Sequence, residues 1–435
     1  MAQVNLKCVT IASLAGLLFG FDTAVISGVT DALRTVFSLD SQGLGLAVSV
    51  ALWGTFFGAL FMGRLGDAIG GRDALRVIGA MYVISSIGCA LSPNLTTFIV
   101  FRFLLGLAVG GSSVLAPVYI SEIVPAERRG ALVGLFQFNI VFGILLAYVS
   151  NFAVGALMSG GDVWRWKLGL AAIPASVFLI LLYAIPQSAR WLAAKGRVED
   201  AVRSLTQLGV ANAQALVAEF TASDAKTSAR LSWTQHKKPI IFAILLAMFN
   251  QFTGINAILY YLNDIFAAAG FSRMSSDMQA IAVGAANLIA TVIGMSFIDR
   301  IGRKTLLMIG AVGMVIALSG VAAIMALGQG QALLLWMLLL FIVSFAFSQG
   351  AVIWVYISEI FPTPVRATGQ SVGSATHWIM NAMISAVFPI VAAQTKALPF
   401  VFFAAMTLIQ LVVVVRFFPE TKGVELEDME AAIER

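Results

Sequence analysis

The feature that most constrains this chain is a series of apolar runs, each long enough to cross a lipid bilayer. A membrane-spanning helix needs about 20 consecutive, mainly apolar residues. Because 60% of the residues are hydrophobic and only 11% are charged, the composition excludes an ordinary soluble domain. About twelve spans are predicted, at residues 8–30, 44–63, 74–92, 97–120, 130–153, 168–185, 239–268, 278–298, 305–327, 333–357, 368–392 and 397–417. The sequence therefore predicts an all-α membrane protein with both termini on the same side.

The distribution of basic residues between the predicted connections indicates which side faces the cytoplasm. One set of connections carries Arg64, Arg72, Arg76, Arg128, Arg129, Arg300, Arg303, Lys304, Arg366 and the basic residues between Arg190 and Lys238. The opposite set carries only Arg34, Arg165, Lys167, Arg273 and Lys396. By the positive-inside rule we expect the first set, and both termini, in the cytoplasm. The net charge of +5 largely reflects this asymmetry, so it gives little support to nucleic-acid binding.

The remaining composition argues against several other classes of protein. Cys8 and Cys89 are the only cysteines, and both lie in or beside apolar runs, so we expect neither a disulfide framework nor a cysteine metal site. The first apolar run is too long for the apolar core of a signal peptide. No phosphate-binding loop, metal-ligand spacing or nucleophile–base pair stands out. An enzyme is therefore the least supported function, and no cofactor or metal is expected.

Two opposite charges lie inside the predicted spans of the first half. Counting 1.5 Å per residue from an inner boundary near Val9 places Asp22 about 20 Å into a core about 30 Å thick. Arg102 lies about 8 Å below the outer boundary of the fourth span, which is a similar level. Because charges inside a membrane are costly and usually pair, we predict that Asp22 faces Arg102. The alternative is that Arg102 extends its side chain to the outer surface.

Three short motifs recur in the two halves of the chain, at a separation of about 235 residues. The matching pairs are 63–72 with 299–304, 119–123 with 356–360, and 186–190 with 419–423. Each motif alone could be a solvated turn at a helix end. Three of them in register indicate a duplicated unit of six spans.

These motifs, in this order, resemble the cytoplasmic signatures of the sugar porters of the major facilitator superfamily. The likeness runs from the first span to Lys422-Gly423, although Ala68 and Gly71 stand where the family usually has basic residues. The resemblance implies two six-helix halves, at 1–185 and 239–435, joined by a cytoplasmic linker at 186–238. Charged residues mixed with Ala and Leu in the linker are typical of short amphipathic helices.

The same motifs predict a set of opposite charges at the cytoplasmic ends of neighbouring spans. This cytoplasmic latch comprises Asp67, Arg72, Glu122, Arg129, Asp299, Arg303, Glu359 and Arg366. We expect exposed ion pairs, each contributing about 0–1 kcal/mol, which suits contacts that break and reform during transport. Stabilisation of the helix ends alone is the alternative, and the two roles are compatible.

A neutral polyhydroxylated substrate requires amide groups to bind its hydroxyls and an aromatic face for its C–H groups, midway through the membrane. On an ideal helix Gln251 and Asn256 point about 140° apart. The interruption at Thr253-Gly254 could unwind the helix and let both side chains converge, as broken helices do in transporters. Any one amide could instead be a helix–helix contact.

The resemblance extends to the residues that bind sugar in the family. Those carried over are Gln137, Gln251, Asn256, Asn287, Trp354 and Trp378, with Asn250, Gln349, His377 and Asn381 as further candidates. Tyr260 and Tyr261 match an outer gate whose rings close over the site. Gln349 stands where many relatives have Trp, and His377 stands where Gln is common, so the substrate is not expected to be identical to that of the best-known glucose or xylose carriers. His377 could donate to a hydroxyl or simply be packed.

The resemblance implies proton-coupled import of a monosaccharide or polyol by alternating access, with Asp22 as proton carrier and Arg102 as its partner. Family members that symport protons carry this aspartate, and many facilitators do not. The alternatives are a sugar facilitator without proton coupling, a sugar sensor that does not transport, and a drug exporter on the same fold. The expected partners are a small sugar or polyol and the lipid bilayer, with a monomer in a bacterial inner membrane as the expected setting.

Overall fold

The structure is a computed structural model that describes residues 6–124, 129–210, 212–223, 231–362 and 365–422. Every regular element within these ranges is helical, as the apolar runs predict. Twelve helical segments among the described residues are long and apolar enough to cross a membrane. Most begin and end close to the predicted limits, although the second span extends over Ser41–Ile69 and the seventh ends early, at Tyr260. The predicted fold class is confirmed.

The first part of the chain forms the helices of six spans and four further short helices. They are α1 (Leu6–Val25), α2 (Thr30–Val36), α3 (Ser41–Ile69), α4 (Gly71–Leu91), α5 (Leu95–Ile123), α6 (Arg129–Leu157), α7 (Val163–Gly169), α8 (Ala172–Leu181), α9 (Ala189–Ala194), α10 (Val198–Gln207) and α11 (Ala213–Ser223). Helices α9 to α11 occupy the stretch predicted to be the linker. They enclose a small apolar core that includes Leu192, Leu205 and Val217.

The second part of the chain forms the other six spans, and several of them are interrupted. They comprise α12 (Lys237–Phe252), α13 (Ile255–Tyr260), α14 (Leu262–Ala268), α15 (Arg273–Ile301), α16 (Arg303–Leu327), α17 (Leu334–Phe345), α18 (Ala351–Glu359), α19 (Arg366–Gln394) and α20 (Leu398–Phe417). A π-helical turn at Ala346–Gly350 separates α17 from α18. Such turns often mark functional sites in helices.

The chain divides into two compact units. The first comprises Met1–Val25, Val50–Ser150 and Leu157–Thr227. The second comprises Ile26–Ser49, Asn151–Ala156 and Ser228–Arg435. Helix α2 and the first residues of α3 therefore belong to the same unit as α12 to α20.

Small residues allow close helix packing in the first unit. The Cα atoms of Gly54 and Gly58 in α3 face the backbone carbonyls of Phe103 and Leu107 in α5. Gly106 and Gly110 of α5 face the backbone of α3 in return. Lipid tails are as apolar as the side chains, so membrane helices associate through close packing of this kind rather than through the hydrophobic effect.

The repeat predicted from the sequence motifs reappears as matching hydrogen bonds. In the first unit the Tyr119 hydroxyl donates to the carbonyl of Pro186 at 2.6 Å. In the second unit the Tyr356 hydroxyl donates to the carbonyl of Pro419 at 3.1 Å. Each bond ties the end of one span to the segment that follows the last span of its half.

Candidate functional site

Asp22 and Arg102 form the contact that their depth predicts. Arg102 Nη1 donates to Asp22 Oδ1 at 2.5 Å. The side chain of Arg102 is only 3% exposed and that of Asp22 is 12% exposed, so the alternative in which Arg102 extends to the surface is wrong. Arg102 Nε is buried without a hydrogen-bond partner among the described residues. Among the described residues, one hydrogen bond therefore joins the guanidinium to the carboxylate, and not the two-bonded fork that makes arginine pairs strongest.

The seventh span breaks where the sequence predicts. Helix α12 ends at Phe252, and Gly254 adopts a left-handed conformation with φ of 82° before α13 begins. A residue with a Cβ atom rarely adopts this conformation, so glycine is favoured there. The break lets Asn256 Nδ2 donate to Gln251 Oε1 at 2.9 Å. The predicted convergence of these two amides is confirmed.

The two amides belong to a larger network in the second unit. Gln251 Nε2 donates to Asn250 Oδ1 at 3.0 Å, and Asn250 Nδ2 donates to Gln349 Oε1 at 3.2 Å. Gln349 lies in the π-helical turn with 0% exposure. Its Nε2 has no hydrogen-bond partner among the described residues. Leaving a buried donor unpaired costs about 1–3 kcal/mol.

An aromatic cluster borders this amide network. Gln251 Nε2 lies 3.1 Å from His377 Nδ1 and 3.2 Å from His377 Nε2. The ring of His377 lies between those of Trp354 and Trp378, with ring centres 5.2 Å and 5.1 Å apart. Amide groups and two indole rings therefore surround one imidazole, which is the combination of groups expected for sugar binding.

The two tyrosines of the predicted outer gate are buried in the second unit. Asn381 Nδ2 donates to the Tyr260 hydroxyl at 3.2 Å. The Tyr261 hydroxyl donates to the carbonyl of Ser385 at 2.9 Å, and its ring stacks on Phe388 at 5.0 Å. Both rings are therefore tied to α19.

The remaining predicted substrate residues occupy different surroundings. Gln137 is half-buried in α6 of the first unit, and Asn287 is buried in α15 of the second. Asn139, two residues after Gln137, donates to Ser13 Oγ at 2.9 Å. It therefore makes the helix–helix contact that was the alternative for any single amide.

One ion pair of the predicted latch joins two helices among the described residues. Arg303 Nη2 and Nε donate to the two carboxylate oxygens of Glu359 at 2.7 Å and 3.1 Å. Thr421 Oγ1 also donates to Glu359, at 2.6 Å. The side chains of Arg303 and Glu359 are only 10% and 20% exposed. The expectation of an exposed pair is wrong here, because the segment after α20 covers the carboxylate.

The corresponding residues of the first unit form different contacts. Arg72 Nε lies 3.0 Å from the carboxylate of its neighbour Asp73. Asp67 is exposed, and its backbone carbonyl accepts a hydrogen bond from Trp191 Nε1 at 2.9 Å. Glu122 is half-buried at the end of α5. The other latch residues have side chains outside the described residues: Arg129, Asp299 and Arg366.

A charged cavity in the second unit was not predicted. Its volume is about 390 Å³, and its lining includes Asp31, Arg34, Asp264, Arg273 and Lys396. Arg34 Nη2 lies 3.8 Å from Asp264 Oδ1, which joins α2 to α14. Burial raises the pKa of Asp264, while Thr30 and Arg34 act in the opposite direction. The only signal in the sequence was an acidic residue shortly after the two gate tyrosines.

Comparisons with known proteins agree with this geometry. The family model for sugar (and other) transporters matches residues 8–433. The D-xylose-proton symporter of Escherichia coli is 35% identical, over 97% of this chain and 94% of the relative. The major myo-inositol transporter of Bacillus subtilis is also 35% identical, over 97% of this chain and 93% of the relative. The inward-open xylose transporter of E. coli superimposes with a TM-score of 0.86, at 33% identity over 97% and 98% of the two chains.

The chain belongs to the sugar porter family of the major facilitator superfamily. The resemblance noted in the sequence is thereby confirmed. This sugar porter is an integral membrane transporter and not an enzyme, since its relatives and its fold are those of transporters.

Proposed function

We propose that this sugar porter imports a monosaccharide or a related polyol together with a proton, by alternating access. The observation that carries the sugar assignment is the amide network around Gln251 with its bordering indole rings. Relatives named for D-xylose and myo-inositol support a substrate of this size and polarity.

The substrate would bind through its hydroxyls to the amides and through its C–H face to the indoles. Burying an amide costs free energy unless the amide is hydrogen-bonded, and here the amides are bonded mainly to one another. Replacing some of those bonds by bonds to hydroxyls costs little, which suits reversible binding. Of the predicted residues, Asn256, Trp354, His377 and Trp378 would touch the substrate most directly, with Gln137 and Asn287 as further contacts.

The proton would be carried by Asp22. A neighbouring arginine favours the charged carboxylate, and separation of the two in apolar surroundings favours the protonated one. The single hydrogen bond from Arg102 is a contact that a small shift of α1 against α5 would break. This is the arrangement a conformation-dependent proton site requires.

We further propose that both termini and the Arg303–Glu359 pair face the cytoplasm, on the basis of the positive-inside rule. The latch would then stabilise one conformation of the second unit and open in another. Tyr260 and Tyr261 would close the opposite side. The bilayer would be a bacterial inner membrane, since the relatives are bacterial, and the working unit would be a monomer.

Counterflow in proteoliposomes tests the sugar assignment directly. Vesicles containing the purified protein are loaded with an unlabelled hexose, pentose or inositol, and uptake of the labelled compound is measured. At least one member of the panel should show transient labelled uptake that empty vesicles lack. Absence of counterflow with every sugar and polyol would overturn the proposal, and counterflow with a cationic drug alone would favour an exporter.

A further inference from the structure

Four amide side chains of the second unit form one continuous relay. Asn256 donates to Gln251, Gln251 donates to Asn250, and Asn250 donates to Gln349, over distances of 2.9, 3.0 and 3.2 Å. Each amide has an oxygen that accepts and a nitrogen that donates. The orientation of one member therefore determines the orientation of the next.

The relay has a fixed direction when followed from Gln349. Its Oε1 accepts from Asn250 Nδ2, which turns Asn250 Oδ1 towards Gln251 Nε2. Gln251 Oε1 is then turned towards Asn256 Nδ2. The carbonyl oxygen of Asn256 is the acceptor that the relay leaves at its other end.

The same direction determines what His377 can offer. The nitrogen of Gln251 that donates to Asn250 also lies within hydrogen-bond distance of the imidazole nitrogens of His377. An imidazole nitrogen that accepts from Gln251 leaves the other ring nitrogen to carry the proton. His377 is thereby left with one N–H donor.

Gln349 lies at the closed end of this relay. It is wholly buried, and its Nε2 has no hydrogen-bond partner among the described residues, although Oε1 is bonded. A buried donor without a partner in a native protein calls for an explanation. Of the two amide atoms of Gln349, only Oε1 has a hydrogen-bond partner among the described residues, and that partner is Asn250. We therefore assign the role of this side chain to its oxygen, which orients Asn250.

We propose that Gln349 is a positioning residue that sets the direction of the relay. It would thereby make the site present an acceptor at Asn256 and a donor at His377. This inference rests on the proposed function. The substrate is then a sugar or polyol with one hydroxyl that donates to Asn256 and a second oxygen that accepts from His377. Gln349 itself does not touch the substrate.

Isosteric variants of Gln349 test this assignment in counterflow. Gln349→Met keeps the length of the side chain but has no amide acceptor, whereas Gln349→Glu keeps a carbonyl oxygen. Gln410→Leu is the matched control, because Gln410 is also buried in the second unit and its amide has no partner among the described residues. KM and maximal rate are measured for each full-length variant with D-glucose, or with the aldose that the panel selects, and with its monodeoxyfluoro derivatives.

We expect Gln349→Met to raise KM at least about tenfold with a smaller change in maximal rate. In the wild type, fluorine at the donating hydroxyl should raise KM, because fluorine cannot donate. That selectivity should largely disappear in Gln349→Met and be retained in Gln349→Glu and Gln410→Leu. If Gln349→Met does not fold, Gln349→Glu still decides, because its fluorosugar selectivity must match that of the wild type.

Two results would overturn the inference. One is an unchanged KM and fluorosugar profile in Gln349→Met, and the other is loss of the fluorosugar selectivity in Gln349→Glu. Either can occur only while the wild type transports sugar, so the proposed function would stand. Absence of counterflow in the wild type would instead remove the proposed function.

Discussion

The polar groups to which we assign the two functions differ between the two units of this sugar porter. The first unit buries an ion pair, Asp22 with Arg102. The second buries neutral amides that are bonded to one another, from Asn256 to Gln349. A charge can bind or release a proton, and an amide can exchange one hydrogen-bond partner for another. The difference suggests that proton coupling and sugar recognition are divided between the halves of a duplicated fold.

The two units also differ in charge at the start of α4 and the corresponding start of α16. Gln187 Oε1 accepts from the backbone nitrogen of Arg72 at the start of α4, at 2.9 Å. Glu420 Oε1 accepts from the backbone nitrogen of Arg303 at the start of α16, also at 2.9 Å. The geometry is repeated, but a neutral amide in one unit is a carboxylate in the other. Gln187 and Glu420 therefore occupy equivalent positions in the two units but differ in charge.

The largest expected difference in stability between the units concerns the arginines at the starts of α16 and α4. Arg303→Gln removes two bonds to the half-buried Glu359 and should cost about 3 kcal/mol, because the carboxylate loses its partner. Arg72→Gln breaks a partly exposed pair with Asp73 and should cost at most about 1 kcal/mol. Thermal unfolding in detergent measures both, and equal shifts in midpoint would show that the two ends are energetically alike.

The next effect concerns the amides. Gln251→Leu removes bonds to three residues of the second unit and should raise KM for sugar by more than about tenfold. Asn139→Leu removes a partly buried amide bond in the first unit, to Ser13, and should leave KM nearly unchanged. Counterflow kinetics decide the matter. A larger KM change in Asn139→Leu would break the proposed division of roles.

The smallest effect is a pH dependence at the cavity of the second unit. Burial raises the pKa of Asp264 above its ordinary 3.8, so the folded protein binds this proton more tightly than the unfolded chain. The stability contributed by Asp264 is therefore greatest at acid pH and is lost as pH rises through the raised pKa. Asp264→Asn should remove this loss, and Asp31→Asn should not. The midpoint of thermal unfolding is followed between about pH 4 and about pH 7 in the wild type and both variants. An equal change of midpoint with pH in the wild type and in Asp264→Asn would contradict this prediction.

Much of the architecture was predictable because membrane helices have a strong sequence signal. Apolar runs gave the spans, and a constant rise per residue placed Asp22 level with Arg102. The glycine at position 254 predicted the break that brings Gln251 and Asn256 together. Each of these predictions needed only a property of the backbone or the depth of a residue in the membrane.

Other features depend on which side chains are in contact in the folded protein. The hydrophobic periodicity of the sequence does not predict those contacts. Arg72 pairs with its neighbour Asp73, and Arg303 is covered by the segment after α20. Gln349 is buried in a π-helical turn that hydropathy does not reveal. The pairing of Arg34 with Asp264 depends on where α2 packs, far along the chain from α14.

The central claim is that Asp22 carries the coupling proton while the second unit recognises the sugar. It is tested most directly with Asp22→Asn in proteoliposomes, by measuring sugar exchange and accumulation driven by a pH gradient side by side. The account predicts exchange within about tenfold of the wild type and no uphill accumulation. Accumulation equal to the wild type would contradict it and would leave the Asp22–Arg102 pair a structural contact in a sugar porter coupled elsewhere.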